Sequence, residues 1–359
     1  MQYKLIIHLF IVLIICGCSS LEMEKKRGNT ESVSISRIYG DGSSYCSFTS
    51  LVKSDGYYYL AFREGRTHVK EGDYGNIKIL KSHDGENWSI LQSISLNEVD
   101  LRDPCLSVLP NGSLLLLCGA RYKTEDGYYT TKTYCAMERK GKFDELMPVI
   151  VPNDIDDNIC CWIWKLTWNN YEGYGVAYRM NDNQSSQITL VKTTDGINYT
   201  KVTDIGLDGN PSEARLRFLE DGTMIALIRR DGGNRKGYIG FSNYPYIEWN
   251  LKELDIYLAG QDFIVDKEEL ICSTRIYENT DKRTCIWVGN LEGVFLWSYT
   301  LPSLGSETSY AGLLNEEKNY YISYCSMHEF EKPAIYLAKI PKSYLQYQGQ
   351  FSSITQNQP

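Results

Sequence analysis

Asp55-Gly56 followed by residues 57–63, YYYLAFR, is a tight turn leading into an apolar strand, and the pattern recurs along the chain. Asn111-Gly112 precedes SLLLLCGAR, Glu172-Gly173 precedes YGVAYR, and Asp221-Gly222 precedes TMIALIRR. EELICSTR follows Lys267, and KNYYISYCS follows Glu317. Asp-Gly and Asn-Gly favour two-residue hairpins because both central positions tolerate positive φ. The runs that follow are rich in Tyr, Leu, Ile and Val, residues that fit a pleated, half-buried surface. The copies are spaced by roughly 45–60 residues, the period of propeller blades.

Between these copies lies a second unit. Ser82-His83-Asp84-Gly85-Glu86-Asn87-Trp88 fits S-x-D-G-x-x-W, Thr193 to Tyr199 is a relaxed copy, and Ser242 to Trp249 is a degenerate one. The Asp is suited to capping the turn's N–H groups and the Gly to taking φ > 0. These turns resemble the Asp-box of sialidases and related propellers. Turn signals at this spacing, and no long amphipathic helical pattern, predict an all-β fold. The expected architecture is a six-bladed β-propeller, sialidase-like, spanning residues 36–345. Such rings leave only short sheet edges, and the mouth of the central channel is the default site for a ligand.

A third segment carries chemistry. Gly209-Asn210-Pro211-Ser212-Glu213 is followed by ARLRFLEDGTMIALIRRDGG. It resembles the sialidase segment in which a buried Glu precedes a strand, a turn, a second strand and an arginine. Glu213 lies eight residues before Asp221, and Arg229 seven after Gly222, as in that family. Ser309-Tyr310-Ala311-Gly312-Leu313 resembles the stretch before the last inner strand of sialidases. The resemblance implies that Tyr310 is a nucleophile, Glu213 its general base, and Arg229 a grip on a substrate carboxylate. Arg283 stands where the family has another carboxylate-binding arginine, with Arg275 as the alternative. A tyrosine suits a sugar that carries a carboxylate on its anomeric carbon, because a neutral phenol avoids like-charge repulsion. With an ordinary pKa near 10, that phenol needs a neighbouring base. Arginine suits the planar, bidentate grip on a carboxylate.

In its first blade the chain departs from the family. Ser47 stands where a sialidase has the first arginine of its triad, and Arg63 or Arg102 are the candidates to replace it. The acid/base is expected in the loop 67–75, where Asp73 is the nearest match, with Glu71 and His68 in reach and Asp103 as an outside candidate. Trp162, Trp164 and Trp168 alternate along a strand, a pattern that favours core over a sugar platform. More broadly the chain resembles bacterial envelope propellers related to sialidases, on stretches such as AFREGRTHV, DLRDP and SYCSMHE.

Composition bounds the partners. The net charge is −8 at pH 7, and the sequence holds no basic run, which argues against nucleic acid. An acidic sugar would therefore be held by local arginines. Of four histidines, only His68, His83 and His328 lie beyond the leader. They are scattered, so neither a metal site nor any other cofactor is expected. Cys160-Cys161 are adjacent, and no mechanism suggests itself for the pair. The other cysteines beyond Cys18 sit mostly in apolar runs, as small hydrophobes do.

Near the N-terminus lie Lys4, an apolar run from Leu5 to Ile15 interrupted only by His8, and Cys16-Gly17-Cys18. The run is too short to span a bilayer and reads as a signal peptide over 1–17. Its end resembles the bacterial lipobox, which implies lipidation of Cys18, a polar tether over 18–35 and a place in the cell envelope. There the protein is expected to be a monomeric outer-membrane lipoprotein, periplasmic or surface-exposed. A polar tail follows at 346–359. The function implied is that of an exo-acting glycoside hydrolase resembling exo-alpha-sialidase, acting on a glycan with a terminal acidic sugar. The alternatives are a glycosidase or lyase of different sugar specificity, and a non-catalytic surface glycan-binding lipoprotein.

Overall fold

A computed structural model describes residues 32–155, 160–180, 186–278 and 281–345. The leader, Cys18 and the C-terminal tail lie outside the described residues, as does most of the tether.

The strands form antiparallel sheets in chain order. Four of the expected blades are separate four-stranded sheets, over residues 45–94, 211–257, 262–300 and 309–341, the last completed by the N-terminal strand Ser34–Tyr39. The segment 100–205 forms one nine-stranded sheet instead. Its two halves meet where Cys160 and Cys161 run parallel to Thr131 and Lys132.

The hairpins follow from the sequence. At Asp55-Gly56 both residues take positive φ, 48° and 76°, and Ser54 pairs with Tyr57 across the turn. A two-residue loop of this kind matches the right-handed twist of the strands it joins. In the turn Ser82–Trp88, Asp84 Oδ1 accepts the N–H groups of Glu86 and Asn87, both at 2.8 Å. Gly85 takes φ 76°, and Trp88 Nε1 donates to the Gly85 carbonyl at 3.1 Å. Asp195 repeats this bonding with Ile197 and Asn198.

Strands such as Leu114–Lys123 are apolar on both faces because each sheet is covered on two sides. Trp164, Val176 and Tyr178 pack against Ala214, Met224 and Ile228 of the next sheet. Comparable layers join each later pair and close between Leu60 and Cys325. Burial of this apolar surface contributes roughly 25 cal/mol per Å². The inner strands Tyr45–Ser54, Asp100–Val108, Cys160–Asn169, Pro211–Phe218, Asp262–Asp266 and Ser309–Asn315 follow one another around a central axis. Seven described cysteines, Cys46, Cys105, Cys118, Cys135, Cys272, Cys285 and Cys325, are buried and form no disulfide, and Cys161 is buried as well.

Candidate active site

The inner strands carry β-bulges. Pairing slips between Ser47 and Ser50, Arg102 and Cys105, Ile163 and Leu166, Pro211 and Ala214, and Ser309 and Gly312. Non-glycine residues at or beside four of these slips take positive φ: Phe48 at 60°, Asp103 at 43°, Asn210 at 54°, Ser309 at 76° and Tyr310 at 51°. A bulge bends its strand and re-aims a side chain, and such strained backbone persists only where its surroundings over-determine it. Here the bulges turn side chains from five strands onto one another. The Tyr310 ring lies edge-on to Phe48 at 4.7 Å and to Trp164 at 6.5 Å between centroids.

Tyr310, Glu213 and Arg229 form one connected group. Tyr310 donates its hydroxyl proton to Glu213 Oε1 at 3.0 Å. Arg229 Nη1 donates to the same oxygen at 2.8 Å and lies 3.5 Å from the Tyr310 hydroxyl. The other carboxylate oxygen of Glu213 accepts the Gly260 N–H at 2.9 Å. Gln261 Nε2 donates to the Glu213 carbonyl at 2.7 Å, so two elements hold this base in place. Burial pushes the Tyr310 pKa well up, the Glu213 charge adds to this, and Arg229 and Arg275 oppose it. The phenol is therefore protonated at neutral pH and points its proton at a base. The Arg229 pKa is raised: burial alone would lower it, but Glu213, Tyr310 and Asp231 prevail.

Arg275 joins this group. Its guanidinium carbon sits 5.3 Å from the Tyr310 ring centroid, and Nη2 reaches Glu307 at 3.2 Å and the Thr308 carbonyl at 2.9 Å. Arg102 stacks 5.1 Å over Phe48 and pairs with Asp100 at 3.4 Å. Asp103, next in the chain, is buried, accepts the Trp164 indole N–H at 3.4 Å and feels the Glu213 charge. Burial raises its pKa to about 7, with Arg102 opposing and Glu213 adding. That is the value a proton donor needs near neutral pH.

Other sequence candidates sit differently. Asp73 accepts the N–H of Arg66 at 3.0 Å and both the N–H and the hydroxyl of Thr67. Burial would raise its pKa, but these donors outweigh burial and lower it. Its proton is thus held off, the opposite of what a general acid needs, and the carboxylate instead ties down its own loop. Arg63 is fully buried and committed to Asp100 and the Thr67 carbonyl, so it does not take over the cation expected at Ser47. Glu71 is exposed and paired with Lys123. Arg283 binds the Ser303 carbonyl and Glu278 near the start of its own strand, Asp281–Asn290, and among its described partners there is no member of the Tyr310 group.

One contributor escaped the sequence reading, and another was read as core. Glu307 is buried and accepts from Tyr45 at 2.9 Å, from His68 Nδ1 at 2.5 Å and from Arg275. Burial opposes its ionisation, but His68 and Arg275 hold its pKa below the ordinary value. The only sequence signal was that it lies three residues before Tyr310. Trp164, expected in the core, is buried there and also reaches Asp103 and Tyr310. A cleft of about 630 Å³ lined by Leu109, Met137, Tyr171 and Asp195 lies apart from all these residues. Its charged groups Glu138, Arg139 and Asp195 bind Gly141, Asp144 and the turn at Ile197 and Asn198 respectively, so chemistry rather than volume locates the site. Among the described residues no group of three or more His, Cys, Asp or Glu is arranged to hold a metal.

Sheets ringed around an axis, with converging side chains on the inner strands, define the class: an all-β propeller with a sialidase-like fold. Comparison with solved structures bears this out. A Dyadobacter fermentans DSM 18053 protein of unknown function is similar at 15% identity and TM-score 0.73, over 86% of this chain and 99% of that one. Trypanosoma rangeli sialidase in complex with the inhibitor DANA is similar at 12% identity and TM-score 0.64, over 89% of this chain and 61% of that one. A Penicillium chrysogenum alpha-L-arabinanase complexed with arabinobiose is similar at 12% identity and TM-score 0.64, over 87% of this chain and 99% of that one. No protein-family model matches the sequence, and no curated protein matches it.

Proposed function

We propose that the chain is a retaining exo-glycosidase that releases a terminal acidic sugar. Asp103 protonates the glycosidic oxygen as the bond to the aglycone breaks. The Tyr310 oxygen attacks the anomeric carbon, and its proton passes to Glu213. Water then attacks the glycosyl-tyrosine, giving one proton to Asp103, while Glu213 returns its proton to Tyr310. Two inversions give net retention. Arg229, with Arg275 and Arg102 nearby, supplies the cationic surroundings for a substrate carboxylate. The observation that carries this reading is the 3.0 Å hydrogen bond from Tyr310 to Glu213, bridged by Arg229.

The same reading counts the nine-stranded sheet as two blades, making six, and takes the turns at Asp84 and Asp195 as Asp-boxes. It includes a Cys18 lipid anchor that holds a monomer at the bacterial cell envelope. A second reading, a glycosidase for a neutral sugar, draws on two facts. Arg229, Arg275 and Arg102 are each already paired with a carboxylate of the protein, and Ser47 supplies no cation.

The test is hydrolysis of a fluorogenic sialoside beside a panel that includes arabinofuranosides. Glu213→Gln is expected to lower kcat/KM by about 10²–10⁴-fold, the range for a lost proton-transfer group, and Tyr310→Phe, which removes the nucleophile, by at least as much. Turnover of a neutral glycoside alone would select the second reading. Full activity in Tyr310→Phe would end the tyrosine mechanism.

A further inference from the structure

Below the Tyr310 group the channel holds a second polar cluster. Lys165, Arg215, Arg217 and Asp262 come from three successive inner strands. Arg215 and Arg217 alternate with Ala214 and Leu216, which enter the apolar core, so the two arginines face the other way. Arg215 Nε and Arg217 Nη2 reach Asp262 Oδ1 at 2.8 and 2.9 Å. Lys165 Nζ lies 3.4 Å from Asp262 Oδ2 and donates to the Ala311 carbonyl at 3.0 Å. The cluster thus sits against the residue that follows Tyr310.

The charges do not balance. Among the described residues, Asp262 is the one carboxylate within ion-pair range of any of the three cations. Buried charge is costly unless it is compensated. A lysine can lose its proton in such a place, and burial with the two arginines does lower the Lys165 pKa against the pull of Asp262. An arginine does not readily follow. Burial and Arg215 push Arg217 down only to about 10. Even with Lys165 neutral, two guanidiniums face one carboxylate. Lys165 and Asp262 keep only 7% and 6% of their side chains accessible, and Arg215 and Arg217 keep 12% and 17%, so little bulk water reaches them to offset the excess charge.

We propose that Lys165, Arg215 and Arg217 bind a small monovalent inorganic anion of halide size in the central channel, beneath the Tyr310 bulge. The inference rests on the channel's charges and not on the catalytic reading above. Bromide serves as the probe. Thermal melts of the purified protein in sodium bromide are compared with sodium gluconate at equal ionic strength. A saturable rise of Tm in bromide is expected, together with an anomalous diffraction peak between Lys165 Nζ and the two guanidiniums. Arg217→Leu is expected to weaken the bromide effect about tenfold or more, as befits a lost hydrogen bond to a charged group. Lys165→Met provides the same check should Arg217→Leu fail to fold. Asp262→Asn removes the competing carboxylate and is expected to tighten it. Coincident melts in the two salts, stabilisation by phosphate but not by bromide, or a bromide peak only elsewhere would each overturn the proposal.

Discussion

Asp103 and Asp73 show how environment assigns opposite properties to one residue type. Both are buried. Three donors stabilise the charge of Asp73, whereas Asp103 has one long indole bond and the nearby Glu213 charge. An unfolded Asp titrates near pH 3.9, and folded Asp103 near 7. Between those values the native chain holds a proton that the unfolded chain has lost, so this residue lowers stability as pH rises through the window. Asp103→Asn removes the penalty. Its Tm is expected to exceed wild type at pH 8 and to match it at pH 3.5. If Asp103 is the acid, wild-type kcat/KM should fall as pH rises past 7, and Asp103→Asn should lose that limb. A profile that keeps the limb in the variant would assign the proton to another group.

At the scale of the element, the bulged inner strand is the device that makes the site. Regular pairing in Ser309–Asn315 would keep Tyr310 in simple alternation along the strand; the slip between Ser309 and Gly312 turns it toward Glu213. Close packing behind the bulge fixes that turn. A Cβ added at Gly312 would come within 2.4 Å of the Leu51 backbone nitrogen and 2.9 Å of Leu51 Cβ. Gly312→Ala must therefore push two inner strands apart. Overpacking of this kind costs about 1–3 kcal/mol, readable as a lower denaturation midpoint. Because the displaced strand carries Tyr310, kcat should fall by more than the unfolded fraction explains. A variant with wild-type stability and kcat would show that the strands have slack.

For the whole molecule, closure is the governing event. Ser34–Tyr39 pairs with Ala334–Pro341, so the sheet that completes the ring takes strands from both ends of the described chain. Apolar layers between sheets then join every neighbour, including the last to the first. Deleting residues 32–40 should strip the outer strand from that sheet and expose its edge. The expected result is a lower Tm and a larger hydrodynamic radius; an unchanged melt would mean that the inter-sheet layers suffice alone.

What could be read in the chain was whatever repeats or keeps fixed spacing. Turn-and-strand units marked an all-β ring because hairpin chemistry is local, and two of the Asp-Gly turns bond as their residues dictate. Glu213, Arg229 and Tyr310 stood out through the resemblance of their segments to sialidases, although 97 residues separate Glu213 from Tyr310. Other assignments depended on which strands face each other across the axis. Arg63 looked like a site cation but meets Asp100 in the buried interior. Glu307 and the Lys165–Asp262 cluster carry no local signature. The sequence by itself determined the strands and the turns, and its resemblance to sialidases implied the candidate nucleophile with its base. Only the tertiary structure decided which buried acid keeps its proton and which cations share a carboxylate, because burial and charge pairing are sums over neighbours that meet only when the ring closes.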